Sequence, residues 1–132
     1  DFRRSRGLGD VYKRQGVIVP VQCEFFALEG IAALMETIDQ VRATHNANLV
    51  IDGVLRTMYD PRTSLTRQVS QQLEKFFGDR VFKTVIPRNI RLAEAPSHGL
   101  PVLKYDRLSK GALSYLALAS ELRKRLNLKT AA

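Results

Sequence analysis

The sequence predicts an α/β fold with a mainly parallel sheet flanked by helices. Two observations carry that expectation. Short β-branched apolar runs alternate with longer stretches of helical periodicity, and each of the three strand candidates is followed by a polar, turn-rich cluster. The 132 residues, 45% of them hydrophobic, suffice for one domain with a core and are too few for two ordinary ones.

Residues 1–15 show neither period and read as a disordered tail or foreign sequence. Val17, Ile18 and Val19, bounded by Gly16 and Pro20, predict a buried strand that the proline ends. Leu28, Ile31, Met35, Ile38 and Val41 then recur at steps of three and four, as one face of a helix does, with Glu29, Glu36, Asp39 and Arg42 mostly off that stripe. A second strand is expected from Leu49 to Leu55, interrupted by Asp52 and Gly53. Asp60 and Pro61 signal a turn, and Thr63 or Ser64 can cap the next helix, whose stripe is Leu65, Val69, Leu73 and Phe76. Gly78 and Asp79 stop it, and Val81–Ile86 gives a third strand before Pro87.

After a charged segment, the run PVLKYD at 101–106 reads as a short edge-like element. Ser109 is placed to cap a last helix carrying Ala112, Leu116, Ala119 and Leu122 or Leu126, with the basic cluster Arg123, Lys124 and Arg125 near its end. Residues 129–132 read as a flexible tail.

Charge and composition narrow the classes. The formal charge is +8, from 21 basic and 13 acidic residues, which favours a polyanionic partner. Residues 1–15 hold five of those bases and two of the acids, so the remainder carries 16 against 11, a milder excess of +5. The single cysteine, Cys23, excludes an internal disulfide framework and a cysteine-rich metal site, and it reads as a small buried side chain rather than a nucleophile. No apolar run approaches the roughly 18 residues of a membrane span, and the basic start lacks a signal-peptide core, so the chain reads as cytoplasmic.

In open parallel sheets, ligands bind beyond the carboxyl ends of the strands. The clusters PVQCEFFALEG, TMYDPRTS and PRNIRLAEAPSHG all fall at such ends. His98, Ser97 and Glu94 lie close together in EAPSHG, but proximity in sequence does not make a triad, and His45 is too remote to join a metal site.

Read together, GVIVPVQCEFFALEG, GVLRTMYDPRTSLTRQV, VIPRNIRLAEAPSHGLPV and YDRLSKGA resemble the carboxyl-terminal half of chromosome- and plasmid-partitioning ATPases of the ParA/Soj family, over about residues 16–126. That family consists of deviant P-loop NTPases related to MinD. The resemblance implies a P-loop NTPase-like sheet that is truncated here and lacks the N-terminal phosphate-binding half, with 16–128 as the carboxyl-terminal portion of the ATPase domain. It implies ATP and Mg2+ as cofactors of the intact protein, an ATP-dependent homodimer, non-specific double-stranded DNA and a ParB-type centromere-binding protein as partners, and a nucleoid-associated location. No membrane partner is expected.

No KGGVGKT-like loop exists in this sequence, and Gly7, Leu8, Gly9 and Asp10 do not replace one, so the chain by itself should not hydrolyse ATP. The resemblance places Thr57 and Met58 on one side of an adenine pocket and Pro87, Arg88 and Asn89 on the other. It gives Arg62 and Arg91 as DNA contacts, with Arg88, Lys83 and Lys104 as possible extensions of the patch. Gln22 and Glu24 fall near the dimer-proximal or switch-proximal region. Glu24 is equally suited to the first turn of a helix, and Met58 equally to plain core packing. Two other readings stay open: a basic non-catalytic DNA-binding module, and a MinD-like membrane-associated positioning ATPase, although packing of the last helix on the sheet is expected over a membrane role.

Overall fold

The computed structural model describes residues 16–24 and 27–131; the expectations for residues 1–15 and for Ala132 lie outside them. The elements follow as β1 (Gly16–Gln22), α1 (Ala27–Thr44), β2 (Val50–Tyr59), α2 (Ser64–Phe77), β3 (Val81–Pro87), α3 (Ile90–Glu94), α4 (Val102–Tyr105) and α5 (Lys110–Ala131), with short 3-10 turns at Gly78–Arg80 and Ala95–His98. The three strands form one parallel sheet in the order β1-β2-β3.

An unbroken strand order joined by crossovers of one hand puts both crossover helices on the same face. The packing agrees. Val19, Val21 and Cys23 of the first strand segment, Ile51 and Val54 of β2 and Val81 of β3 meet Ile38 of α1 and Val69, Leu73 and Phe77 of α2 in one buried cluster. Side chains alternate across a strand, so the neighbouring residues Leu55, Phe82 and Ile86 point the other way. There they pack against Leu92 of α3 and Leu118 and Leu122 of α5.

Several local expectations are corrected. Pro20 does not end β1, which runs on to Gln22; β1 has a described neighbour on one side only, where a missing N–H is tolerated. In α2 the buried aromatic is Phe77, while Phe76 is 70% exposed, because the stripe steps by four from Leu73 and not by three. The run at 101–106 forms the single helical turn α4 and not an extended edge; Pro101 fits ahead of the first turn, where no N–H is needed.

Ser109 does cap α5, its Oγ accepting from Ala112 N at 3.2 Å. The packed stripe beyond Ala112 is Leu118 and Leu122, while Leu116 and Leu126 are about half exposed. The helix continues through 129–131, expected as a tail, since nothing there breaks a helix.

A discontinuity in β3 positions everything beyond it. Val54 pairs with Val81 and Arg56 with Val85, so two residues on β2 are matched by four on β3. The extra residues leave ladder groups without strand partners. The buried Arg56 guanidinium donates to Phe82 O at 2.8 Å and Lys83 O at 3.4 Å, and also to Ser70 Oγ at 2.8 Å and Glu74 Oε1 at 2.9 Å on α2. Glu121 of α5 accepts from Lys83 N and Thr84 N, both at 2.8 Å, and from Thr84 Oγ1 at 2.7 Å. The carbonyls are thereby satisfied by a side chain of β2 and the N–H groups by one of α5.

Candidate nucleotide cleft and arginine rim

The carboxyl ends of β2 and β3 open onto a cleft of about 720 Å³ lined by Gln22, Thr57, Met58, Pro87, Arg88 and Asn89, together with Ile86, Leu92 and Tyr115. All five residues expected around an adenine base are therefore gathered at one place, and Gln22 joins them. The volume lies within the range of ordinary small-molecule sites.

Met58 has φ 52°, the single non-glycine residue with positive φ among the described residues. Arg56 pairs with Val85 and Tyr59 with Pro87, so three residues of β2 span two of β3 and the strand bulges at this point. The left-handed turn of the backbone takes Met58 out of the alternation. It is half-buried on the cleft wall and belongs to neither buried cluster. Across from it, Asn89 caps α3: its Oδ1 accepts from Arg91 N at 3.0 Å. That fixes the orientation of the amide and leaves its NH2 as a donor with no partner among the described residues, suited to a ring nitrogen of a base.

Arg88 lines the cleft, and its guanidinium donates to Glu24 Oε1 at 3.0 Å, tying the end of β3 to the segment after β1. Glu24 is thus engaged across the sheet. Arg62 is exposed and doubly paired with Asp60, Nε to Oδ1 at 2.9 Å and an NH2 nitrogen to Oδ2 at 3.0 Å. These hydrogen bonds hold the Asp60 carboxyl below the usual carboxylate range. Arg91 is shared between Glu94 and Asp106, both at 3.3 Å. The rim therefore presents arginines beyond β2 and β3, each already holding a carboxylate.

Lys83 does not extend that rim: it lies at the β3 irregularity, beside a second cleft of about 890 Å³ bounded by Glu74, Lys124 and Arg125. That cleft lies at the amino end of β3, away from the carboxyl ends of the strands, and Arg56, Glu121 and Arg125 on its walls are committed to the β3 backbone. Lys104 is exposed on α4. His98 stacks on Tyr105 with ring centroids 4.7 Å apart, and Tyr105 donates to Glu94 at 2.9 Å; the arrangement braces the loop and forms no nucleophile-base pair. Cys23 is fully buried, and burial pushes its thiol up, with Arg56 pulling the other way.

Sequence reasoning missed Arg56, Glu121 and Tyr115. An arginine between Leu55 and Met58 in an apolar strand was a signal for the first. Tyr115 would have emerged from a helical face drawn through Gly111, Leu118 and Leu122 instead of Ala112, Leu116 and Ala119.

A parallel sheet flanked by helices, with a cleft beyond the carboxyl ends of its strands, defines an α/β domain with its cleft where such sheets bind ligands. Comparison with known proteins agrees. The family described as the CobQ/CobB/MinD/ParA nucleotide binding domain matches residues 4–102. The sporulation initiation inhibitor protein Soj of Bacillus subtilis is 54% identical over 105 residues, which cover 80% of this chain and 42% of that protein. The chromosome partitioning protein ParA of Caulobacter vibrioides is 55% identical over 105 residues, 80% of this chain and 39% of that one. Cobyrinic acid a,c-diamide synthase from Mycobacterium smegmatis, solved with ADP and magnesium, superposes with a TM-score of 0.61 at 30% identity, over 85% of this chain and 38% of that one. The chain belongs to this nucleotide-binding family, in its ParA/Soj branch. It spans about two fifths of the length of these relatives.

Proposed function

We propose that the chain is the carboxyl-terminal part of a ParA-type partitioning ATPase, contributing the adenine side of the nucleotide site and an arginine rim for non-specific duplex DNA. The observation that supports it best is the convergence of Thr57, Met58, Pro87, Arg88 and Asn89 on one cleft. Its walls suit a purine: Pro87, Ile86 and Met58 offer apolar surface to a flat base, and Thr57 and the Asn89 amide offer polar groups to its edge. The described residues include no group of three or more His, Cys, Asp or Glu side chains placed to hold a metal. In this reading the phosphates and Mg2+ are held by a glycine-rich loop outside this chain, and only the assembled protein hydrolyses ATP.

Nucleotide-dependent dimerisation would double the rim, and two weak phosphate footprints coupled in one particle gain avidity. Arg62 and Arg91 are the phosphate contacts, and to serve they exchange Asp60, Glu94 and Asp106 for DNA. A ParB-type protein is the partner that stimulates turnover, and the site of action is the cytoplasmic nucleoid. Leu118 and Leu122 of α5 are committed to the sheet, which speaks against that helix as a membrane anchor.

The test is a duplex DNA titration of the full-length protein with ATP across a salt series. Arg62→Ala and Arg91→Ala should each weaken binding and lower the slope of log K against log salt by about 1. Asp60→Asn, which frees Arg62, should strengthen binding. Unchanged affinity and slope in both alanine variants would overturn the DNA assignment.

A further inference from the structure

The adenine reading leaves one wall of the cleft without a role. That wall is Tyr115, which comes from α5 on the far side of the sheet from α1 and α2. Gly111, Tyr115, Leu118 and Leu122 follow steps of four, three and four along α5 and so share one face. Leu118 and Leu122 are packed against Leu55, Phe82 and Ile86. Gly111 is pressed so closely on Leu92 that a Cβ there would overlap its side chain, and Ser109 and the fully buried Ala112 fix the first turn. Every neighbour on this face is held against the protein, yet Tyr115 is 40% exposed. It lines the cleft together with Ile86, Pro87 and Asn89 from the end of β3 and the start of the next turn.

An aromatic ring kept on a packed face but left open at a cavity has a π-surface available to a flat ligand. We propose that Tyr115 is a further base-binding residue, whose ring stacks on the purine that Thr57, Met58, Pro87 and Asn89 hold at its other sides. This inference rests on the adenine reading of the cleft and extends it to α5: a bound base would clamp the last helix against the ends of β2 and β3. Stacking of a base on one aromatic side chain is worth enough to be measured in a titration.

The experiment uses the full-length protein and its Tyr115→Ala, Tyr115→Phe, Tyr115→Trp and Asn89→Ala variants, with ADP and inorganic pyrophosphate as probes. Tyr115→Ala should weaken ADP about tenfold and leave pyrophosphate binding unchanged, while Tyr115→Phe restores ADP binding. The emission added by Tyr115→Trp, taken as the difference from the parent protein, should be quenched by ADP but not by pyrophosphate. If Asn89→Ala weakens ADP while Tyr115→Ala does not, the adenine reading stands and the role given to Tyr115 is overturned. Equal loss of ADP and pyrophosphate in Tyr115→Ala would also overturn it, since that is the signature of a disturbed fold. If none of the variants alters ADP binding, the adenine reading itself falls, and the inference with it.

Discussion

Met58 separates two contributions that a side-chain list would merge. A non-glycine residue at φ 52° costs on the order of 1 kcal/mol relative to a relaxed backbone, and the cost is incurred at the cleft wall. Met58→Gly should therefore hold or raise the unfolding free energy, by up to about 1 kcal/mol, while removing the thioether from the cleft and weakening ADP in the full-length protein. Met58→Ala keeps the strained backbone and loses the side chain, so it should weaken ADP with no gain in stability. Urea unfolding and a nucleotide titration of the two variants read these effects separately. Nothing in the sequence announces the strain: methionine is a common core residue, and the positive φ arises from a mismatch of three residues against two that exists only once β2 and β3 are paired.

The elements were more legible than their edges. Three strands, two crossover helices and a capped last helix follow from period and turn chemistry, because burial on one face imposes the spacing directly. Boundaries failed where a neighbouring element decides the outcome, as at Pro20, Phe77 and α4. The β3 discontinuity is of that kind, since its repair comes from Glu121, 37 residues downstream of Thr84. Burial opposes the charge on Glu121, but the N–H donors of Thr84 and Lys83, the Thr84 hydroxyl and the Arg125 cation outweigh it and set the carboxyl below its ordinary value. A carboxyl lowered in the folded state contributes stability that is present above its unfolded value and lost as pH falls through the folded one. Glu121→Gln places an amide NH2 against one of the two backbone donors. It should cost about 1–3 kcal/mol at neutral pH and flatten the acid limb of the stability profile, measured by urea unfolding between neutral and acidic pH.

At the scale of the molecule, Arg56 is the joint of the layers. It rises from β2, reaches α2 through Ser70 and Glu74, and holds the β3 carbonyls. It is 7% exposed, and its Nε has no partner among the described residues. Its partner Glu74 is about half exposed, so removing the carboxylate differs from removing the guanidinium. Arg56→Met should destabilise by about 3 kcal/mol, because buried carbonyls lose their donors; Glu74→Gln should cost less than about 1 kcal/mol, as surface pairs do. Circular dichroism during urea unfolding compares them. The expected adenine-side residues proved adjacent because strand ends converge in any parallel sheet, which sequence order alone foretells. The ion pairs of Arg62, Arg88 and Arg91 were invisible to that logic, since which carboxylate a surface arginine meets depends on loop geometry.

Glu121 and Arg125 also stitch the last helix to the sheet. By taking Lys83 N, Thr84 N and Val81 O of β3, with Arg125 reaching Asp52 O of β2 at 3.3 Å as well, they span the β2–β3 junction. Along β1, by contrast, Ile18 is 39% exposed. The junction between β2 and β3 is thus closed by side chains, whereas β1 keeps an outer edge with no strand partner among the described residues, the kind of edge that pairs readily with another strand.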